Sequence, residues 1–379
     1  MKNYQRLGDY IREVNVRNSE LKVTKLVGLT IDKAFIPSVA NVIGTDLSNY
    51  KVIRKEQFAC SLMQVSRDGK MPVAMFEEDE AIMSPAYPMF EVVDKMELLP
   101  KYLMMWFSRK EFDREASFYA VGGVRGSLTW EDFCNLRLPI PSIARQREIV
   151  EEYETLSRRI RLNEQMIARL EETAQALYRK MFVDGIDKEN LPEGWRRGRL
   201  GEVAMIKSGY AFKSEWWQKT GVPVIKINNI QNNTIEKNTC DCVSSDIAKI
   251  AKNCQVSRGT IVIALTGNVG KISVVPDDGY LINQRVGFVC VIEEYYEFVY
   301  LLMKSPAIQT NIISIGGGSV QTNVSPIDIA KIETIIPSTK DLNMFHDQAK
   351  FIFKTINLHQ QENEKLTELQ SLLLARMGK

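Results

Sequence analysis

The feature that most constrains the fold of this 379-residue chain is an internal repeat, in which short patterns return in the same order about 200 residues later. Self-similarity of this kind is the signature of one structural unit written twice. We therefore predict two similar halves rather than one domain with a single core. The matching pairs are Arg6-Leu7-Gly8 with Arg199-Leu200-Gly201, Gly69-Lys70 with Gly270-Lys271, Ile82 to Phe90 with Leu281 to Val289, and Pro141-Ser142 with Pro337-Ser338.

The first part of each half, residues 1–141 and 196–337, consists of short apolar runs broken by Gly, Pro, Asn and Asp. Such runs are typical of short buried or half-buried strands, and Val73-Ala74-Met75 is an example. Tyr102 to Phe107 and Phe298 to Met303 are predicted to form short helices. We therefore predict an α+β fold class, with two mixed, mainly β-cored domains at 1–141 and 196–337.

The second part of each half is predicted to be one long helix, at 142–183 and 338–379. Between Ile149 and Met181, ten positions alternate in steps of four and three residues, and Asn163 is the polar one among them. This spacing is a heptad seam, the pattern of coiled-coil helices. A helix of about 40 residues is ~60 Å long, which suits a spacer between domains.

The two predicted helices are expected to pair antiparallel, so that the two domains are held apart and related by a pseudo-two-fold axis. Such pairing brings the middles of the helices together, and we expect Asn163 to lie near His359. Residues 184–195 are predicted to form a polar, turn-rich linker that ends at Trp195.

The sequence does not contain the chemistry that an enzyme or a metal site requires. Both histidines, His346 and His359, lie in the last predicted helix at a spacing that does not place them on one face. Cys240-x-Cys242 has no second pair of ligands. The segment from Thr266 to Lys271 is too short for a phosphate loop, and Ile272 follows where that loop needs Ser or Thr. We predict no catalytic residue, no metal site and no cofactor bound by this chain.

The six cysteines are scattered and form no paired framework. No apolar run approaches the length of a membrane span, and the N-terminus lacks the apolar core of a signal peptide. We therefore expect reduced thiols in a cytoplasmic protein without membrane contact.

Several segments resemble, in order, those of the specificity subunits of Type I restriction–modification systems. Leu191 to Trp195, followed by Arg199-Leu200-Gly201, resembles the opening of a target-recognition domain in that family. Ile225 to Ile227, Gly267 to Lys271 and Leu281 to Arg285 resemble later segments of the same domain. The first half resembles another branch of the same domain, in the segments Ile36 to Asn41, Asp46 to Tyr50, Arg67 to Lys70 and Ser84 to Tyr87.

The start of the first long helix carries a further resemblance. Leu138 to Pro141, leading to Gln146 and Ile149, resembles the beginning of the family's helix. Ala144-Arg145 departs from the acidic residue that commonly precedes the glutamine, and the second helix has Lys340-Asp341-Leu342 in place of that glutamine. Together the resembling segments cover essentially the whole chain.

The resemblance implies a non-catalytic subunit that recognises double-stranded DNA. In this family the subunit binds two modification (methyltransferase) subunits, which carry S-adenosylmethionine and methylate adenine. Complexes that also cleave DNA add two restriction subunits, which use ATP with magnesium to translocate. The DNA target implied is bipartite, with one half read by each domain and an unread spacer between the halves.

The formal net charge is only +2, so any affinity for DNA must come from locally clustered charge, or partly from partner subunits. Arg and Lys suit guanine edges, Asn and Gln suit adenine edges, and phosphate contacts fix the register. Each candidate could instead be a solvated loop residue, and Asn228-Asn229 could instead simply form a turn. The predicted DNA-binding residues are Gln64, Arg67, Lys70 and Arg125 in the first domain, and Lys207, Tyr210, Lys226, Asn228, Asn229, Asn268, Lys271, Gln284, Arg285, Gln321 and Asn323 in the second.

Two other classes of function remain open at this point. A homo-oligomeric scaffold would use the paired helices only to assemble other proteins, and it would show no sequence-specific DNA binding even with its partners. A fusion of nuclease and methyltransferase is disfavoured because the catalytic motifs of both are missing.

Overall fold

A computed structural model describes residues 4–38, 44–63, 65–121, 126–231, 235, 239–316 and 323–378. The chain forms two units, of which the first comprises residues 1–165 and 359–379 and the second comprises residues 166–358. Each unit therefore contains one globular part and a segment of each long helix.

The globular part of the first unit is built from short strands, because its apolar runs are short and end at turn residues. The central sheet has the strand order β2-β9-β6-β7 and is antiparallel throughout. The pairs β1-β10, β3-β4 and β5-β8 are antiparallel as well. The strands are β1 (Tyr4–Arg6), β2 (Ile11–Glu13), β3 (Val27–Leu29), β4 (Phe35–Pro37), β5 (Lys51–Arg54), β6 (Phe58–Cys60), β7 (Val73–Met75), β8 (Glu80–Met83), β9 (Met89–Val92) and β10 (Arg137–Pro139).

Aromatic side chains fill the core between this central sheet and the short helices of the first unit. Phe58 and Phe90 are stacked with ring centroids 5.0 Å apart, and Phe107 meets both rings edge-on. All three side chains are fully buried. The helices are α1 (Val65–Asp68), α2 (Pro100–Phe107), α3 (Lys110–Ala120), α4 (Trp130–Asn135) and the long α5 (Ile143–Phe182), which continues into the second unit.

The second unit contains two four-stranded sheets. The first has the order β12-β19-β16-β17 and is antiparallel; the second has the order β14-β13-β18-β15, in which β13 and β18 are parallel. A separate antiparallel pair joins β11 and β20. The strands are β11 (Arg196–Arg199), β12 (Met205–Ser208), β13 (Val222–Ile225), β14 (Asp241–Val243), β15 (Gln255–Val256), β16 (Ile261–Ala264), β17 (Ile272–Val274), β18 (Tyr280–Ile282), β19 (Val286–Cys290) and β20 (Glu333–Ile336).

Both faces of the sheet that contains β16 are covered, which explains its continuous apolar sequence. Ile261 and Ile263 belong to one core cluster, whereas Val262 and Ala264 belong to another that includes residues of the neighbouring sheet. The helices of this unit are α6 (Ser245–Ile250), α7 (Tyr296–Lys304), α8 (Pro306–Ile315), α9 (Pro326–Ala330) and the long α10 (Thr339–Met377), which continues into the first unit.

The strand order shows the internal repeat directly. The order β2-β9-β6-β7 recurs as β12-β19-β16-β17, and the pair β1-β10 recurs as β11-β20. The remaining strands differ, because β5 pairs antiparallel with β8 whereas β13 pairs parallel with β18. The predicted α+β fold class with two mixed, mainly β parts is therefore confirmed, and the two copies share one sheet while differing in the other.

The start of each long helix shows how the two copies diverged. In the first unit, Gln146 is fully buried, accepts a hydrogen bond from the N–H of Leu99, and donates to the carbonyls of Glu97 and Pro141. At the equivalent place, 196 residues later, the second unit has the buried apolar Leu342. The departure noted in the sequence thus replaces a hydrogen-bonded amide by an apolar contact.

The heptad seam of α5 is confirmed, because all ten of its positions are buried or half-buried. In the first unit Asn163 donates to Asn363, and Ser157 accepts from Gln370, so rising numbers on one helix meet falling numbers on the other. In the second unit the ring of Tyr178 packs against that of Phe345. Within the first unit, the two helix segments are therefore antiparallel, as predicted.

Asn163 lies near His359, as expected, since both side chains approach Glu362, but His359 is not its hydrogen-bond partner. Its side-chain N–H group donates to Glu362 and Asn363, at 2.9 and 2.8 Å. His359 instead lies with its Nδ1 3.7 Å from Glu362. The polar layer thus exists, but its partners lie one helical turn beyond the residue that the repeat offset indicated.

The described helices include none that is long and apolar enough to cross a membrane.

Candidate nucleic-acid interface

In the second unit, the directions of the strands place several of the turns between them at the same end of the two sheets. β12 and β16 are antiparallel to β19, so the C-terminal ends Ser208 and Ala264 lie opposite Gly287 and Val286. β13 and β18 are parallel, so their C-terminal ends also lie side by side. We call the resulting surface the strand-end face of the second unit; it consists of residues 209–210, 226–230, 265–271, 283–285 and 323–324.

Backbone hydrogen bonds hold this strand-end face together. The N–H of Leu265 donates to the carbonyl of Arg285 at 3.0 Å, and the N–H of Val324 donates to the carbonyl of Leu265 at 2.8 Å. The N–H of Gln284 donates to the carbonyl of Tyr210 at 2.9 Å. Segments far apart in the sequence therefore form one framework whose side chains share a surface.

Gly209 is required by the close approach of two segments in this framework. A Cβ atom at this position would lie 2.2 Å from the carbonyl oxygen of Ile282, a distance that no side chain allows. The absence of a side chain lets Tyr210 form a bridge with Asn283.

Most of the residues predicted to bind DNA in the second unit lie on this face. Their side chains range from exposed to buried, and the exposed ones carry the hydrogen-bonding groups that base edges require. Lys207 lies near it, exposed, on β12. The exposed candidates on the face are Asn228, Asn268, Gln284, Arg285 and Asn323, and the half-buried candidates are Tyr210, Lys226 and Lys271.

Asn229 is the exception among these candidates. It is only 3% exposed, its Oδ1 accepts a hydrogen bond from the N–H of Lys226 at 2.7 Å, and its Nδ2 donates to Thr239 at 3.0 Å. The Asn229 side chain is thus engaged in holding the turn after β13, and the turn reading of Asn228-Asn229 fits it better than a base contact does.

The sequence analysis missed an aromatic cluster beside Tyr210. The Phe212 ring lies 5.2 Å from that of Tyr210 and 5.4 Å from that of Trp217, and the ring of Trp216 is stacked on Tyr210 at 6.3 Å. Lys213 lies over the Trp216 ring at 5.3 Å. Aromatic residues interleaved with lysine, as in the run from Tyr210 to Trp217, were the signal that this cluster offered in the sequence.

The first unit has an equivalent strand-end face, formed by residues 61–63, 65–70, 84–88 and 126–128. Its framework repeats that of the second unit, because the N–H of Leu128 donates to the carbonyl of Leu62 at 2.9 Å. Arg67, in α1, is exposed and pairs with Asp68 at 2.7 Å, while Lys70 pairs with Asp32 at 2.9 Å. The predicted residues Gln64, Arg125 and Gln321 lie outside the described part of the chain.

Titration behaviour on the first strand-end face follows from its ion pairs. The hydrogen bond between Arg67 and Asp68 raises the pKa of Arg67 and lowers the pKa of Asp68, so both stay ionised near neutral pH.

In the second unit, burial raises the pKa of Cys240 to about 11, and its thiol therefore stays protonated. No group of three or more His, Cys, Asp or Glu side chains that could hold a metal ion was found among the described residues.

The chain is similar in sequence to known specificity subunits of Type I restriction enzymes. The chain is 27% identical over 216 residues to the Type I restriction enzyme HindI specificity subunit of Haemophilus influenzae, and this match covers 55% of the chain and 47% of that relative. It is 22% identical over 259 residues to the MjaVIII specificity subunit of Methanocaldococcus jannaschii, covering 64% of the chain and 61% of the relative. The chain thus spans roughly half of the length of these curated relatives.

A solved structure shares the fold. The S subunit of a Type I restriction–modification system from M. genitalium superposes with a TM-score of 0.57 at 14% identity, covering 100% of this chain and 96% of that one. The family model described as the Type I restriction modification DNA specificity domain matches residues 63–172 and again residues 192–368, once in each repeat. Since these two regions make up most of the sequence and lie one in each copy of the fold, the chain belongs to the Type I restriction modification DNA specificity domain family.

Proposed function

We propose that this chain is the DNA-recognition subunit of a Type I restriction–modification complex, and that each strand-end face reads one half of a bipartite target in double-stranded DNA. The observation that carries the proposal is the strand-end face itself. Strand direction in the second unit gathers eight of the predicted DNA-binding side chains onto one loop surface, and the shared sheet of the first unit carries an equivalent loop surface with different side chains. A shared scaffold with different loops suits the reading of two different half-sites.

The side chains of these faces have the chemistry that DNA reading requires. Arg285 and Lys271 offer donors to guanine or phosphate, whereas Asn268, Gln284 and Asn323 offer the paired donor and acceptor that match adenine. Because the net charge of the chain is only +2, we propose that electrostatic attraction to the duplex comes partly from partner subunits.

The rest of the complex is proposed from the family. Two modification subunits would carry S-adenosylmethionine and methylate adenine, and two restriction subunits with ATP and magnesium would join where cleavage occurs. The chain itself would be non-catalytic and cytoplasmic. In keeping with this, its two histidines are used within the protein: His346 contacts Glu297 at 2.8 Å, and His359 lies in the polar layer between the helices.

A domain exchange tests the proposal. The chain is assembled with its modification subunits, and the methylated sequence is read from treated genomic DNA. Replacing residues 1–141 by the corresponding part of a relative should change one half of the methylated target and leave the other half intact. A change in both halves, or in neither, would contradict independent reading. If the wild-type assembly showed no sequence-specific binding at all, the scaffold alternative would replace the proposal.

A single substitution tests the assignment of one side chain. Arg285→Ala should reduce discrimination at one base pair by ~1–3 kcal/mol if the guanidinium contacts a base edge. A uniform loss for all sequences, with a shallower dependence on salt, would place Arg285 on a phosphate instead. The matched control is Arg258→Ala, since Arg258 is engaged by Asp277 and Asn357 within the second unit.

A further inference from the structure

Lys226, on the strand-end face of the second unit, forms an ion pair with Asp241, which lies beside that face at the start of β14. The Nζ of Lys226 lies 2.6 Å from the Oδ2 of Asp241. The pairing of β13 with β14 places Val224 opposite Asp241, so Lys226, just beyond the end of β13, and Asp241, at the start of β14, meet at the same edge. The two side chains are 28% and 56% exposed, which leaves both accessible to a ligand.

Trp217 fixes the direction of the lysine. The Nζ of Lys226 lies 3.5 Å from the centroid of the Trp217 ring, a distance well within the range of a cation–π contact. The backbone beneath is fixed as well, because the N–H of Lys226 donates to the buried Asn229. A lysine side chain normally samples many rotamers, whereas this one is held by a ring, a carboxylate and a capped turn.

A pre-oriented donor beside an acceptor matches one base pair better than it matches a phosphate. In the major groove, guanine presents the acceptors O6 and N7, and its partner cytosine presents the N4 amino donor next to O6. Lysine suits the guanine acceptors, and aspartate suits the cytosine amino group. An A·T pair would place the adenine amino donor against the ammonium group, and a phosphate would be repelled by the carboxylate.

We infer that Lys226 and Asp241 together read one G·C base pair in the half-site of the second unit, and that Trp217 is a positioning residue for Lys226. This inference rests on the proposed function. The lysine donates to the guanine edge while the aspartate accepts from the cytosine amino group, so the pair discriminates as a unit and adds no net charge to the interface.

The test measures methylation of the wild-type target and of targets that differ from it by single base pairs, using the full chain with its modification subunits. Lys226→Met and Asp241→Asn should each reduce discrimination by about tenfold at one and the same G·C pair, and leave the dependence of binding on salt unchanged. Trp217→Leu should weaken discrimination at that same base pair by a smaller factor.

The matched control is Lys213→Met, because Lys213 also lies over a tryptophan ring but, among the described residues, has no carboxylate at ion-pair distance. It should leave the discrimination at that base pair unchanged. Thermal unfolding of each variant shows whether the fold is retained, and Asp241→Asn, which keeps the shape of the side chain, carries the test if Lys226→Met does not fold.

Three results would overturn the inference while leaving the proposed function intact. They are an even loss of binding over all targets with a shallower salt dependence, effects of the two substitutions at different base pairs, and full discrimination in both variants. Failure of the proposed function looks different, since the wild-type assembly would then have no half-site to discriminate.

Discussion

The polar layer between the long helices allows a quantitative prediction in the first unit. Asn163 is 2% exposed, and its Nδ2 donates to the Oδ1 of Asn363 at 2.8 Å. Asn163→Leu removes this donor and leaves the Oδ1 of Asn363 without a hydrogen bond, which costs ~1–3 kcal/mol. Burial of the new apolar side chain offsets only part of that loss. We expect Asn163→Leu and Asn363→Leu each to destabilise the helix pairing by about 1–2 kcal/mol.

The double variant should behave differently from the sum of the two single ones. Replacing both partners by apolar groups leaves neither amide unsatisfied, and Glu362, which also loses the Asn163 donor, still accepts hydrogen bonds from Arg159. The Asn163→Leu/Asn363→Leu variant should therefore regain most of the lost stability. The coupling between the two positions is then about 1–3 kcal/mol. The gain has a cost in specificity, because a single polar layer fixes the register of paired helices and an apolar one does not.

Hydrogen exchange of the full chain is the suitable assay, because a chain of two units need not unfold in one step. The free energy of local opening is measured from the amides of α5 around Asn163. Leu162→Ala is the control, since Leu162 is 52% exposed and should change the opening free energy by less than about 0.5 kcal/mol. Additive effects of the two leucine substitutions, or a stabilising effect of either one alone, would refute the reasoning.

Three further predictions follow from the same elements. Gln146→Leu gives the first unit the leucine that the second unit has at the equivalent place. It should destabilise the first unit by about 2–4 kcal/mol, because three backbone groups lose their buried partner. Loss of exchange protection at the Leu99 amide would show this effect, and unchanged protection would contradict it. The hydrogen bonds from Arg159 and, to a smaller extent, Asn163 lower the pKa of Glu362 below its ordinary value of 4.5. This stabilisation is complete above pH 4.5 and disappears as the pH falls through the lowered pKa. The free energy of local opening, obtained from exchange rates corrected for pH, should therefore fall there in the wild type and change less in Glu362→Gln. Four residues inserted into α5 lengthen it by ~6 Å, so if the helices set the half-site spacing the spacer of the methylated target should grow by about two base pairs, at ~3.4 Å each; an active variant with the original spacing would contradict this.

The sequence predicted much of the architecture because the signals involved are local or periodic. The heptad seam of α5 depends on residues three and four positions apart, which lie on one face of any helix. The short strands follow from apolar runs that end at turn residues. The shared sheet order of the two units follows from the repeat, since equivalent sequences form equivalent strands.

Divergence between the copies limited what the repeat alone could predict. The offset of 196 residues indicated His359 as the neighbour of Asn163, yet the side chain bonds to Glu362 and Asn363. Which turn of one helix meets which turn of another is decided by the packing of whole side chains, and a repeat offset carries no information about that packing. Similarly, no local pattern distinguishes the parallel pairing of β13 from the antiparallel pairing of β5.

The order of the residues alone was enough to predict two similar halves, short strands, long paired helices and polar loops between the strands. Which loop residues lie next to one another became known only from the three-dimensional fold. It buried Asn229 beneath the turn after β13, and it brought Asp241 and Trp217 to Lys226. These contacts join different strands and turns, and the pairing of the strands, which depends on the whole core, sets the distances between their side chains.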